Sequence, residues 1–314
     1  MGGTLGRRSD LGVMSDDDDN AYILLLLSDS NLPTGSFVAS SGLESYLKHG
    51  FSSLSSSGSA TIDFIRDSLG SYARSALPFI SDAHRAVEAF ALDKETDDKD
   101  EKFHRIIRTL TDLDELYQSM TLNHVTRRAS MAQGVALLTL YSKGFSQTPS
   151  LSPFSNAETR GHENRMKTLL ESFKSKVRKG EVFGHLPICW GALTAALGLT
   201  LGKLSFFPSP SMQPQWATAE RAQYLHLFLH ARSILSASVR LNDSGPYGAQ
   251  QVLLHAVRPL VAVEASSCRA MRTGLLDRSE DGFDETMQGP ANTWPLGEIL
   301  AGRHDLQHSR IFNS

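Results

Sequence analysis

Cysteine is scarce: the 314-residue chain has two, Cys189 and Cys268. Two thiols exclude a disulfide-stapled secreted module and a four-thiolate zinc site, and they fit a reducing compartment. An excess of one charge is also missing, because 31 Lys and Arg stand against 34 Asp and Glu, for a formal charge of −3. The clustered basic surplus expected of a nucleic-acid-binding protein is therefore absent. No apolar run is long enough to span a bilayer comfortably; the most apolar, residues 186–201, is short and carries Pro187. The first 20 residues hold no apolar stretch and no small-residue cleavage site, so no secretory signal is expected. Arg7 and Arg8 are followed by the acidic run Asp16–Asp19, which argues against a mitochondrial presequence. The expected location is the cytoplasm.

Common catalytic signatures are missing too. There is no G-x-x-x-x-G-K-S/T phosphate loop, no G-x-G-x-x-G, no H-E-x-x-H, no C-x-x-C and no G-x-S-x-G. Nucleotide hydrolases, dinucleotide enzymes and serine hydrolases of the usual kinds are disfavoured, although a triad assembled from scattered residues needs no motif.

What is present is helical periodicity without β alternation. Ile62, Ile65, Leu69, Tyr72 and Ala73 form one stripe, and Phe103, Ile106, Ile107, Leu110, Leu113 and Leu116 another. Pro78 predicts a break in the first, since proline cannot donate the interior hydrogen bond. Further helices are expected over residues 122–141, 163–178, 216–241 and 246–263. Gly184, Gly191, Gly198 and Gly202 have spacings that put them on one face of a helix, which predicts close approach by a neighbour. The fold class is all-α, a single-domain helical bundle. Three regions are expected: a disordered acidic leader (1–20), a helical domain (21–272) with loop insertions at about 52–61, 143–162 and 202–214, and an irregular linker and tail (273–314).

Two histidine pairs carry the metal-site question. His226 and His230 are four apart in a polar seam with Gln223, Ser233 and Arg240, on an otherwise apolar helix. That spacing suits either chelation or a hydrogen-bonded seam, and a third ligand is not evident. His304 and His308 are also four apart, in a tail where Leu306, Arg310, Ile311 and Phe312 supply apolar anchors and a guanidinium. Cys189, beside Trp190 in the apolar segment, reads as a small core residue.

Residues 24–50, LLLLSDSNLPTGSFVASSGLESYLKHG, resemble the N-terminal signature of the UreF family of urease accessory proteins. The likeness runs through Ser28, Leu32, Pro33, Gly35, Phe37, Ser40, Gly42, Leu43 and Glu44. GHLPICWGALTAALGL (184–199), RLNDSGPYGAQQVLLHAVRPLV (240–261) and RHDLQHSRIFNS (303–314) resemble three later blocks of that family, in the same order. Ala39-Ser40-Ser41 stands where the family often has His-Ser-Phe, and Asp305 and His308 replace its usual Glu and Tyr.

The resemblance implies a non-enzymatic nickel-insertion chaperone, all-helical and homodimeric, without an intrinsic cofactor. Its implied partners are a UreD/UreH-type subunit, the GTPase UreG and apo-urease, with nickel as cargo. It also implies a tail that orders on the UreD/UreH-type subunit, and an effect on UreG that either activates or gates hydrolysis. Implied partner-binding residues are Pro33, Gly35, Phe37, Glu44, His304, Asp305, Gln307, Arg310, Ile311 and Phe312. In the tail, Arg310 is expected to grip a partner carboxylate while Ile311 and Phe312 fill an apolar pocket. Glu44 is either a recognition charge or a solvated one. His226, His230 and His304 are the candidate metal contacts, and Arg127, Arg128, Arg232 and Arg240 the candidates for an arginine acting on the GTPase. Two other readings stand beside this one: a helical metal-dependent enzyme using His226 and His230, and a generic helical adaptor.

Overall fold

The structure is a computed structural model that describes residues 16–30, 32, 39–51, 59–93, 98–146, 157–199, 221–276 and 283–313. Its helices in chain order are α1 (Asp16–Leu27), α2 (Leu43–Lys48), α3 (Ser59–Leu92), α4 (Lys99–Met120), α5 (His124–Leu140) and α6 (Ala157–Lys179). There follow α7 (Leu186–Ala196), α8 (Arg221–Arg240), α9 (Pro246–Val252), α10 (Arg258–Ser267), α11 (Glu285–Gln288) and α12 (Pro295–Gly302). π-helical turns extend α5 and join α9 to α10, and a 3-10 turn, Arg303–Leu306, continues α12. No strand occurs among the described residues, so the chain is all-α as expected. None of the described helices is long and apolar enough to cross a membrane.

α3 is the axis of the bundle. Residues 76–84 are buried without interruption, so this stretch is enclosed on every side rather than along one stripe. α7 is its main neighbour, and α4, α8 and α10 complete the surround. Pro78 lies inside a single 34-residue helix, contrary to the expected break. The reason is tertiary. Proline leaves the carbonyl of Arg74 without its intrahelical donor, and the backbone N–H of Ala291 donates to that carbonyl at 3.3 Å. The C-terminal segment thus occupies the gap that proline opens.

The glycine series is also corrected. Of the four, Gly191 alone is described within α7; Gly184 and Gly198 flank it in turns with positive φ, and Gly202 lies outside the described residues. At Gly191 a Cβ would sit 2.5 Å from the Ile80 carbonyl oxygen, so the hydrogen lets α7 meet the α3 backbone.

The remaining differences concern the ends. α1 starts at Asp16, inside the stretch expected to be a leader. Residues 283–313, expected to be irregular, hold α11, α12 and the 3-10 turn and lie on the bundle. Among the expected insertions, residues 52–58, 147–156 and 202–214 lie outside the described residues, as do 1–15 of the leader.

The last segment is fastened to α3 at several points. Buried Asp82 accepts the N–H and the hydroxyl of Thr273 at 2.8 and 2.6 Å. Ser71 bonds Asn292 at 3.0 Å. Tyr46, Phe64 and Trp294 form an aromatic row with centroids 5.1 and 5.3 Å apart, joining α2, α3 and the start of α12. Asn123 caps α5 by accepting from Val125 N–H at 2.9 Å, and its amide donates to the Glu298 carbonyl at 2.8 Å. One side chain therefore sets both the start of α5 and the position of α12.

Candidate functional site

The tail site grows from the S-x-G-L-E stretch. Gly42 has φ +89°, a left-handed conformation that L side chains rarely adopt, and it turns the chain into α2. The turn buries Leu43, Glu44, Ser45 and Tyr46 together. Glu44 is fully buried, so its carboxylate needs partners. It accepts the backbone N–H of Ile311 at 2.9 Å and of Phe312 at 3.2 Å, and pairs with Lys48 at 3.1 Å. Burial pushes this carboxyl up, but the two amides and Lys48 outweigh it and hold it below its ordinary value. Glu44 is neither a solvated charge nor an outward-facing one; it receives the chain's own tail.

The rest of the tail follows. Phe312 is buried, and His304, also buried, donates from Nε2 to the Phe312 carbonyl at 3.0 Å. Gln307 donates to Ser45 Oγ at 2.5 Å, and Lys48 to the Ser309 carbonyl. Asp305 receives a two-pronged pair from Arg128 at 2.9 and 3.0 Å, Arg310 at 2.6 Å and His124 at 3.2 Å. Arg128, first among these, holds the Asp305 carboxyl far below the carboxylate range. Arg128 also donates to the Asn313 carbonyl at 2.8 Å.

This placement changes two expectations. Arg310 grips Asp305 of its own chain rather than a foreign carboxylate. Ile311 and Phe312 do not fill one pocket together, because adjacent residues diverge: Phe312 is 3% exposed and Ile311 63%. Pro33, Gly35 and Phe37 lie outside the described residues.

The histidine seam is a ladder between antiparallel helices. Gln223, His226 and His230 of α8 meet Ser81, Tyr72 and Ser68 of α3 at 2.5, 2.8 and 3.0 Å. The Tyr72 ring stacks on His230 at 4.1 Å, and Trp190 lies 5.3 Å from His226. Burial lowers the imidazoles to about 3 for His226 and about 4 for His230, so both are neutral. Both Nε2 atoms are engaged, and among the described residues no three His, Cys, Asp or Glu side chains converge as a metal cage. His304 is committed to Phe312 instead. A cavity of about 230 Å³ opens beside the seam, between α3, α5, α8 and α12, with Gln133, Ser130 and Glu298 on its far wall.

Periodicity conceals a third cluster, centred on Asp114. Its buried carboxylate accepts the N–H groups of Phe183, Gly184 and His185 at 2.8, 2.9 and 2.7 Å. Burial raises its pKa, and the three amides work against that shift. His185 bonds Ser130 at 3.2 Å and Gln118 at 2.8 Å, and burial lowers it to about 4. The G-H-L-P stretch is thus a receptor site for Asp114 that fixes the entry to α7. The available signal was an aspartate on the buried face with Leu110, Leu113 and Tyr117.

The candidate arginines are largely committed inside the chain. Arg127 donates to the carbonyls of Gln118, at 2.8 Å, and of Thr121. Arg128 holds Asp305, and Arg232 donates to the Ser28 carbonyl. Cys189 and Cys268 are buried, and burial pushes both thiols up, as in unreactive core residues.

The family model described as UreF matches residues 56–205 and 216–257. Urease accessory protein 6 of Cryptococcus neoformans var. grubii is 38% identical, over 93% of this chain and 96% of that relative. An uncharacterized UreF-like urease accessory protein of Schizosaccharomyces pombe is 27% identical, over 96% of this chain and all of the relative. Urease accessory protein F of Oryza sativa subsp. japonica is 29% identical, over 91% of this chain and 82% of the relative. With more than half its length matched by the family model and a 38% identical relative aligned almost end to end, this chain belongs to the UreF family.

Proposed function

We propose that the chain is a non-catalytic scaffold in urease maturation. It joins a UreD/UreH-type subunit and the GTPase UreG on apo-urease, as a cytoplasmic homodimer, and the assembly delivers nickel to the urease active site. Nickel is cargo in this reading, and the nucleotide is bound and hydrolysed by UreG under the scaffold's influence. The observation that carries the proposal is the near end-to-end similarity to a urease accessory protein.

The geometry supports a scaffold from a second direction. Four of the buried ionisable groups are occupied with holding the fold: Glu44 with the tail, Asp114 with the α7 entry, and His226 and His230 with α3. A catalytic group needs a reacting atom within reach, and these groups have protein partners instead. The test is co-expression of the full chain with the UreD/UreH-type subunit and UreG, followed by size-exclusion chromatography. The expected outcome is a stable complex, together with loss of urease activity in cells lacking this gene. Separate elution of all three proteins, or normal urease activity without the gene, contradicts the proposal.

A further inference from the structure

The cavity beside the histidine seam has a volume of about 230 Å³ and takes its walls from α3, α5, α8 and the start of α12, elements far apart in the sequence. An apolar space of about 150 Å³ is enough to hold benzene, so this one has room for a ring with a substituent. Tyr72, Trp190 and Trp294 supply aromatic wall, and Leu137, Leu186 and Leu229 aliphatic wall. Sites for small molecules combine such a lining with a few polar groups that fix orientation.

Most of the polar wall is already committed inside the chain. Ser68 and Tyr72 bond His230 and His226, Ser71 bonds Asn292 at 3.0 Å, and Ser130 bonds His185 at 3.2 Å. Gln133 differs: it lines the cavity, and its amide has no hydrogen-bond partner among the described residues. A carboxamide carries donors and an acceptor side by side. Its complement is a second amide, which returns both bonds.

Charge is disfavoured in this place. Burial lowers His226 to about 3 and His230 to about 4, so the surroundings reject even an imidazolium. An ionised ligand would lose its hydration on entering the same site. The charged residues on the wall are already engaged. Arg232 donates to the Ser28 carbonyl and feels the opposite charge of Asp29, and Glu298 accepts the Asn292 amide at 2.6 Å.

We propose that this cavity binds a small, flat, uncharged molecule bearing a carboxamide or an equivalent donor–acceptor pair, with its ring against the aromatic wall and its amide on Gln133. The site is independent of the scaffold function, since it gives the chain a ligand and not a protein partner. Its occupant touches helices from both ends of the chain. A molecule that binds the folded chain alone stabilises it by mass action, so occupancy fastens α12 to the bundle.

Three probes of nearly one shape test this on the full chain: benzamide, which is uncharged, benzamidine, which is cationic, and benzoate, which is anionic. Each is titrated while the indole N–H signals of Trp190 and Trp294 are followed by nuclear magnetic resonance. Benzamide should bind saturably, with a Kd of about 1 mM or tighter, move both indole signals, and raise Tm as its concentration rises. Benzamidine and benzoate should bind at least about tenfold more weakly. Gln133→Leu keeps the bulk of the side chain and removes its amide. It should weaken benzamide about tenfold and leave the binding of toluene unchanged. Ala129→Phe, which adds a ring to the cavity wall from α5, should abolish both; if it does not fold, the indole signals locate the ligand by themselves.

Absence of saturation by benzamide overturns the proposal. So does equal or tighter binding of either ion, or benzamide binding that Gln133→Leu leaves as it was. Indole signals that stay still place the ligand elsewhere and overturn it too.

Discussion

Asp114 holds three consecutive backbone amides with one carboxylate. Asp114→Ala would leave buried donors unpaired, at about 1–3 kcal/mol each. Thermal unfolding should show a Tm lower by several degrees, with Asp114→Asn falling between the variant and the wild type. The buried imidazoles make a second prediction at this scale. Burial lowers His84, His185 and His230 to about 4 and His226 to about 3. An unfolded histidine titrates near 6.5. As pH falls below that value, the unfolded chain takes up protons that the folded chain refuses, so stability present above about pH 6.5 is progressively lost toward about pH 4. Glu44 and Asp305, held low, add to the loss at the acid end; Asp82 and Asp114, raised by burial, oppose it. Tm should drop between pH 7.5 and 5, and His230→Gln should flatten that slope. A Tm that holds steady to pH 5 would contradict neutral buried imidazoles.

Helices were legible where one face is buried, since that condition imposes the 3.6-residue spacing seen at Phe103–Leu116. α3 was harder, because its centre is enclosed on all sides and Pro78 carries a local rule that a distant residue reverses. Ala291 lies far along the chain from Arg74, and no local pattern reports such a bond. Pro78→Ala would supply an N–H for the Arg74 carbonyl in competition with Ala291. Exchange of the Ala291 amide should then quicken, while α3 stays helical; an unchanged rate would show that this bond does not hold the segment. The glycine spacing was misleading for a different reason. Gly184 and Gly198 serve turns with φ of +75° and +76°, whereas Gly191 serves packing. Gly191→Ala should therefore cost about 1–3 kcal/mol through overpacking against Ile80, measurable by urea denaturation.

Over the whole molecule, the tail block was legible as a segment that docks, but not its target. Apolar anchors beside a guanidinium say that a surface is covered; they do not distinguish a foreign surface from α2 of the same chain. Glu44 was ambiguous for the same reason, since burial of a carboxylate beside Lys48 depends on residues some 267 positions away. The seated tail carries a prediction for truncation. Removing residues 303–314 takes away buried Phe312 and His304 and both amides on Glu44. Tm should fall by several degrees, while far-ultraviolet ellipticity changes little, because one 3-10 turn is all the helix removed. An unaltered Tm would mean that the seat contributes nothing to the fold.

The bonds from Ile311 and Phe312 to Glu44 span 267 and 268 positions. A ribosome adding about 5–20 residues per second takes on the order of ten seconds or more to make that stretch. Throughout that interval the nascent polypeptide carries an acidic side chain whose permanent occupant has not yet been synthesised. Closure over α2 is accordingly a late event in biogenesis, and a messenger truncated shortly before codon 311 would yield a product with most of its helices and an open seat.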